Sequence, residues 1–340
     1  MRFRFAALAG ALVTGAVAYS VYWFRLAGEI EHGIARWAEE RRVEGVQVEY
    51  SNLQVTGFPL RVQAQANDVR LAGGAGDQRW EWKSPQLIGN VLPYRINHIV
   101  LSALEPQEIT LYQRKAGGEK YWLAPDKALA SLVFDAGGLS RLSVDISGGE
   151  MNGDPFKGAV RLGRVQLHGR QGNHSIENPP LLELALEIDD LAYPGFAGSA
   201  LGERLYRLAL NLSVEGTAPD AWNADGARQW RDAGGIVQVG DIKILWGPLD
   251  IRAAGTLALD EQNRLLGSMT ARLKGYEGLI NGLLNARQVS EEEAEAARLT
   301  LGLISKAAGD GNGELSLPLV LQVGAILLGP VRLAKLKPLF

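Results

Sequence analysis

The stretch Leu182-Glu-Leu-Ala-Leu-Glu-Ile188 decides the fold class, because its side chains alternate between two kinds of position. The even-numbered residues are all apolar, and two of the three odd-numbered residues are glutamates. A period of two residues is typical of a β-strand, whose successive side chains point to opposite faces of the sheet. The stretch therefore predicts a strand with one apolar face and one charged face.

The same alternation recurs along most of the chain. Residues 208–214 and 142–146 follow it closely. Further candidate strands, most of them bounded by Gly, Pro, Asn or Asp, are 46–50, 60–66, 107–112, 160–167, 236–245, 249–253, 256–259, 269–273 and 315–323. Strands with one apolar face and turn residues at their ends are typical of antiparallel sheets. The body is therefore predicted to be a curved antiparallel sheet.

A few segments have a helical period instead. Residues 26–44 repeat apolar side chains at spacings of three and four, which predicts an amphipathic helix. Residues 276–287 show the same period, and another helix is predicted to begin at Ser290, because Ser290 and Glu293 form a capping box. A shorter candidate covers 220–231. The predicted fold class is mainly β with a few helices.

The N-terminal region predicts a membrane anchor. Residues 5–24 contain no charged side chain, and a helix of that length spans about 30 Å, the thickness of a bilayer core. Tyr19, Tyr22 and Trp23 lie near its far end, where such rings favour the headgroup region. Residues 1–25 are therefore predicted to be a transmembrane anchor, or a signal that is not cleaved.

A cleaved signal peptide is the alternative explanation of this segment. Ala16-Val-Ala18 has the small residues of a cleavage site, although the apolar run continues for six residues beyond it. Both an anchor and a signal direct export, so residues 45–340 are predicted to form a β-rich periplasmic body. The protein would then be a single-pass protein of a bacterial inner membrane. Its body is either one elongated domain or divided near 145–175.

Composition excludes several classes of function. The chain has 340 residues, a formal net charge of −3 and no cysteine. A nucleic-acid-binding protein needs basic surface to displace counterions, and the near-neutral balance argues against one. The lack of cysteine excludes disulfides, thiol catalysis and thiolate metal sites.

The remaining chemical groups do not predict an enzyme. The histidines form no metal-binding pair such as H-E-x-x-H; they are His32, His98, His168 and His174. Asp189-Asp190 is predicted to be a turn at a strand end. Residues 310–314 partly imitate a calcium loop, but Leu315 and Leu321 stand where that loop needs glycine and glutamate, so a hairpin turn is predicted. We expect no catalytic residue, no cofactor and no metal.

The apolar faces of these strands must be covered in some way. Either the sheet closes over an ordinary core, which periodicity alone favours, or it leaves an open groove for acyl chains. Apolar contact is non-directional, so such a groove would suit many lipids. The candidate lipid-binding residues are Leu182, Leu184, Leu186, Leu208, Leu210, Leu212, Leu317, Leu319 and Leu321.

Two regions of the chain resemble a known group of proteins. Near the N-terminus, Val46-Gln-Val-Glu-Tyr50 is followed by Gly57-Phe-Pro-Leu-Arg61. The C-terminal region contains, in order, Trp246-Gly-Pro-Leu, Gly255-Thr-Leu-Ala-Leu-Asp260, Gly313-Glu-Leu-Ser-Leu-Pro-Leu319 and Gly324-Ala-Ile-Leu-Leu-Gly-Pro330. This layout resembles an uncharacterised alphaproteobacterial family, a domain of unknown function that is similar to the AsmA-like group.

The resemblance implies a role in envelope lipid handling or outer-membrane homeostasis. AsmA-like proteins are typically tethered to the inner membrane, and larger relatives resemble bridge-like lipid transporters with an apolar groove. A sheet of this size could not span the periplasm alone, so we expect local handling of phospholipid or another acyl lipid, or assistance to a larger envelope protein. The alternative is a scaffold that recruits an envelope partner through its sheet edges, with the apolar face an ordinary core.

Overall fold

The computed structural model describes residues 2–74, 79–113, 117–156, 158–172, 180–219, 223–285, 287, 289–308, 314–328 and 331–339. Its helices are α1 (Arg2–Val43), α2 (Ala224–Asp232), α3 (Tyr276–Asn285) and α4 (Glu291–Ala308), with a 3-10 turn at Pro194–Phe196. Its strands are β1 (Gln47–Thr56), β2 (Val62–Gly73), β3 (Arg79–Leu92), β4 (Arg95–Ser102), β5 (Gln107–Gln113), β6 (Gly117–Ala124), β7 (Lys127–Asp135), β8 (Gly138–Ser147), β9 (Glu150–Gly153), β10 (Val160–Gln171), β11 (Leu182–Ala192), β12 (Arg204–Glu215), β13 (Ile236–Trp246), β14 (Leu249–Leu259), β15 (Leu265–Lys274), β16 (Leu315–Gln322), β17 (Ala325–Leu328) and β18 (Val331–Lys335). The predicted class, mainly β with an N-terminal helix before antiparallel strands, is confirmed.

The chain folds into two compact units. The first contains Met1–Ser140 and Gly149–Phe156, and the second contains Arg141–Gly148 and Lys157–Phe340. The chain therefore passes between the units within β8 and again on either side of β9.

In the first unit, α1 joins the apolar segment to the sheet without interruption. The predicted anchor at 1–25 and the predicted amphipathic helix at 26–44 form one helix. No residue of its most apolar 18-residue stretch is buried, and the helix is long and apolar enough to cross a membrane. C-terminal to that stretch the helix packs on the sheet, where Trp23 and Ala27 are buried against Val62 of β2.

The paired strands of the first unit run in opposite directions. β1 pairs with β2, β2 with β3, and β3 with both β4 and β5. β7 pairs with β4, while β6 joins β5 to β9. Because α1 leads into β1 through a tight turn at 44–46, β1 runs back along the helix towards its apolar segment.

The second unit is a simple meander. From β10 to β18, each strand pairs with the next along the chain, and residues 141–147 of β8 pair with the other edge of β10. The predicted strands 249–253 and 256–259 are one strand, β14, since its register with β15 is unbroken from Asp250 to Leu259.

The three later helices form where the sequence predicts them. α3 and α4 pack together, and a buried cluster of Tyr276, Ile280, Ala294 and Leu315 joins them to β16. The capping box is confirmed: Ser290 Oγ accepts from the Glu293 backbone N–H at 3.2 Å, and Glu293 Oε2 accepts from the Ser290 N–H at 2.8 Å. The shorter predicted helix is α2, capped by Asn223; residues 220–222 lie outside the described part.

Candidate apolar binding surface

The candidate leucines on β11 and β12 lie side by side on one face of the second unit. Leu182 is directly opposite Val214, Leu184 opposite Leu212, and Leu186 opposite Leu210. Leu208 pairs in the same way with Ile188. Directly opposed residues point to the same side of a sheet, so the apolar side chains of the two strands form one continuous surface.

The leucines on β16 belong to this same face, four strands away. Lines of directly opposed residues connect the two groups across β13, β14 and β15. These lines are Leu184–Leu212–Val239–Gly255–Met269–Leu319, Leu186–Leu210–Ile242–Ala253–Ala271–Leu317 and Leu182–Val214–Val237–Leu257–Gly267–Leu321. All nine candidates therefore share one apolar surface, which we call the leucine face.

The opposite face of these strands is charged. Arg207 Nη2 lies 2.6 Å from Glu187 Oε2, and its Nη1 lies 3.7 Å from Asp189 Oδ1. Arg170 donates to Glu183, which holds the pKa of that carboxyl below its ordinary value against the opposing effect of burial. Paired charges on one side and aliphatic side chains on the other give the sheet two chemically different surfaces.

One part of the leucine face is a packed core. Val239, Met269 and Leu321 are 3%, 7% and 4% exposed, and Leu212, Leu319 and Leu336 pack against them. Small residues make this packing possible: a Cβ on Gly255 would lie 2.8 Å from Met269 Cγ. Three of the nine candidates, Leu212, Leu319 and Leu321, therefore contact a buried cluster.

The other part of the leucine face is less covered. Leu182, Leu184, Leu186, Leu208 and Leu210 are all half-buried. Beside them on β10, Leu167 lies opposite Leu186 and is 37% exposed. We call this part, formed by β8, β10, β11 and β12, the open half, and the part formed by β13 to β17 the covered half.

The register also adds residues that the sequence did not assign to the surface. Val165 and Leu167 of β10 lie opposite Ile146 and Val144 of β8, so these four side chains extend the open half. The alternation in 142–146 was visible in the sequence, but only the pairing of β8 with β10 places it on the leucine face.

Two of the histidines considered for catalysis are in hydrogen-bonding contact with serines of neighbouring strands. His98 Nε2 lies 2.8 Å from Ser131 Oγ, and His168 Nδ1 lies 3.0 Å from Ser143 Oγ. His32 is an exposed residue of α1. His174 lies outside the described residues.

The carboxylates are likewise paired. Asp145 accepts from Arg164 Nε and Nη2, at 2.9 and 3.0 Å. Asp310 lies outside the described residues, and Glu314 is 3.0 Å from Lys274. Within the ranges given above, no group of three His, Asp or Glu side chains is arranged to hold a metal ion.

The predicted turn at Asp189-Asp190 is wrong, because β11 continues through both residues to Ala192. Arg204 Nε lies 3.2 Å from Asp190 Oδ1, and Arg207 contacts Asp189, so both carboxylates are held by the neighbouring strand. Asp190 has a φ of 60° and faces Gly163, where a Cβ would lie 2.7 Å from the Asp190 Cβ. The two aspartates that suggested a turn therefore belong to the strand, and Asp190 is a left-handed residue within it.

These features define a class of protein: a mainly β chain with a two-faced sheet and an N-terminal helix able to cross a membrane. The chain belongs to a bacterial family, the uncharacterized proteins conserved in bacteria called DUF2125, whose model matches residues 23–337. No curated protein matches it.

Proposed function

We propose that the protein is a non-enzymatic, inner-membrane-anchored periplasmic protein of envelope lipid handling or outer-membrane homeostasis, and that the open half of the leucine face holds acyl chains. The observation that carries this proposal is the contrast along one surface. On β13 to β16 the leucine face contains the buried cluster of Val239, Met269 and Leu321; on β10 to β12 its aliphatic side chains are half-buried or exposed. A half-buried aliphatic surface is stabilised when further apolar groups cover it.

An acyl chain suits this surface better than a polar ligand does. The half-buried side chains are aliphatic, and the paired charges lie on the opposite side of the same strands. Contacts of this kind select for apolar shape and not for a headgroup, so phospholipid or another acyl lipid would fit. The resemblance to the AsmA-like group supports the same function, and no cofactor is part of it.

Photo-crosslinking of the full chain tests this proposal. The protein is reconstituted with a phospholipid that carries a photoreactive group in its acyl chain, and cross-linked peptides are mapped by mass spectrometry. We expect cross-links in α1, which serve as an internal control for lipid around the anchor, and a second set in β11 and β12. Cross-links confined to α1 in a folded protein would contradict the proposal.

A matched pair of variants tests which face of β12 takes the lipid. Leu210→Lys introduces a charge on the leucine face, whereas Asn211→Lys introduces it next door on the charged face, directly opposite Asp241. We expect Leu210→Lys to lose the β11 and β12 cross-links while Asn211→Lys keeps them. Circular dichroism separates this result from unfolding, since a charge in a closed core would be strongly destabilising.

The alternative is a scaffold whose sheet edges recruit a larger envelope protein by strand addition. In the described residues of the second unit, β18 pairs on one side only, with β17. The Leu336 N–H donates to the Gly324 carbonyl on the β17 side, so the N–H of Lys335 faces the free edge. A partner that binds through this edge would be lost when a proline replaces Lys335, because proline removes that backbone donor. Retention of lipid cross-links in Lys335→Pro would assign the two activities to different surfaces.

A further inference from the structure

Two loops of the first unit are fixed to the end of the apolar segment of α1. The loop at 57–61 joins β1 to β2, and the turn at 93–94 joins β3 to β4. Tyr19 Oη donates to the Pro59 carbonyl at 2.5 Å, and Tyr22 Oη donates to the Pro93 carbonyl at 2.5 Å. Both loops therefore contact the helix within the last six residues of its uncharged stretch.

The first loop also packs its aromatic ring on the helix. The ring of Phe58 stacks on that of Phe24 at a centroid distance of 5.6 Å and meets the edge of Trp23 at 5.5 Å. Trp23 Nε1 donates to the Arg61 carbonyl at 3.1 Å. These contacts fix the height of the loop along α1.

The side chains at the loop tips are apolar and exposed. Leu60 is 79% exposed, Tyr94 83% and Ile96 58%. Exposed arginines, Arg61 and Arg95, follow the two tips in sequence. Large exposed apolar groups beside basic side chains are typical of segments that lie in the headgroup layer of a membrane.

Strand and helix lengths agree with the position of both loops beside the apolar segment of α1. From Phe24 to Val43, α1 extends about 28 Å, and β1 returns about 33 Å, so the loop after β1 reaches the level of the apolar segment. β2 then runs away from that level and β3 returns to it, which brings the turn at 93–94 to the same height. The loop at 103–106 follows the other end of β4, about 25 Å away along the strand.

We propose that the loop tips at Leu60 and Tyr94 form a second membrane contact, inserted into the headgroup layer of the bilayer that α1 crosses. This inference rests on the anchor in the proposed function. The occupant of the surface is a lipid bilayer, because both loops are held at the height where the uncharged segment ends. Leu60 and Tyr94 enter the interface, and Arg61 and Arg95 lie among the headgroups.

Site-directed fluorescence quenching tests this contact, and the absence of cysteine makes each introduced thiol unique. Leu60→Cys and Tyr94→Cys of the full chain are labelled with a fluorophore. The labelled protein is reconstituted in vesicles of phosphatidylethanolamine and phosphatidylglycerol. Leu104→Cys is the matched control, because Leu104 is also an exposed loop leucine, at 53%, but follows the far end of β4.

We expect labels at 60 and 94 to be quenched by a spin label on the lipid and shielded from aqueous iodide, with the reverse result at 104. Equal iodide quenching at all three positions would overturn the proposal. A label at Val13→Cys separates this result from failure of the anchor, because that position reports on the helix alone. Lipid quenching at 13 without lipid quenching at 60 and 94 would leave the anchor in place and assign the tips to solvent or to a protein.

Discussion

The covered and open halves of the leucine face have the same sequence pattern and different surroundings. In both halves the strands alternate aliphatic and polar residues, and each strand from β11 to β16 pairs with the next, with bulges in the β12–β13 and β13–β14 pairings. In the covered half, α3, α4 and Leu336 supply a second layer. An alternating strand thus specifies a face, whereas the elements that return over that face decide whether it becomes a core.

The largest difference between the halves is expected in stability. Leu321→Ala removes a side chain that is 4% exposed within a buried cluster and should cost about 2–5 kcal/mol of unfolding free energy. Leu184→Ala, in the open half, should cost about 1 kcal/mol, because a half-exposed leucine loses less on truncation. Urea unfolding of the lipid-free chain measures both. Equal costs would show that the open half is as well covered as the other.

A smaller effect is expected when the cover itself is loosened. Ser290→Ala removes the N-cap of α4 and should lower the local stability of that helix by about 1 kcal/mol. Hydrogen exchange of the α4 amides should then be faster, while β11 and β12 keep their wild-type rates. Ser290→Asp is the control, because aspartate also caps a helix. Faster exchange in β11 after Ser290→Ala would mean that α4 also stabilises the open half.

The smallest effect concerns the pKa values of two carboxyl groups, Glu183 in a strand of the open half and Asp260 in a turn of the covered half. Arg170 holds the pKa of Glu183 below its ordinary value. Burial raises the pKa of Asp260 in the β14–β15 turn, but hydrogen bonds from Arg264 and from the Gln262 backbone outweigh it and hold that pKa low. For both groups the stabilisation is present above the ordinary carboxyl pKa and is lost as the pH falls through the lowered folded value.

Removing one arginine from each site should give unequal shifts. Arg170→Gln leaves Glu183 without its principal partner, so its pKa should rise. Arg264→Gln leaves the two backbone hydrogen bonds to Asp260, at 2.9 Å each, so its pKa should move less. Carboxyl carbon chemical shifts followed against pH measure both values. A larger shift at Asp260 would reverse the expected order.

The sequence predicts faces and helix ends well because these depend on neighbours along the chain. Alternation assigned Leu182 and Leu186 to one side of a strand, and Ser290 with Glu293 marked the start of α4. Neither signal carries information on which strands are adjacent. The position of Leu317 on the same face as Leu186 follows only from five successive strand pairings.

Local patterns fail where tertiary contacts override them. Asp189 and Asp190 have the composition of a turn, yet arginines on the neighbouring strand keep them in β11. The Gly57-Phe-Pro-Leu-Arg61 segment was conspicuous only as part of a resemblance, because its contacts with Tyr19 and Trp23 join residues about forty positions apart.

The unbroken course of α1 into the first unit has a mechanical consequence. A flexible linker would let a tethered body swivel and change its distance from the bilayer. Here the uncharged segment and the part of α1 that packs on the sheet are one continuous helix, and Trp23 and Ala27 of that helix are buried against Val62. Three side-chain hydrogen bonds also join the helix to the two neighbouring loops. If residues 5–24 cross the bilayer as proposed, the orientation of the helix in the membrane sets the orientation of the first unit relative to the bilayer. A rotation of the helix about its own axis would therefore turn that unit with it.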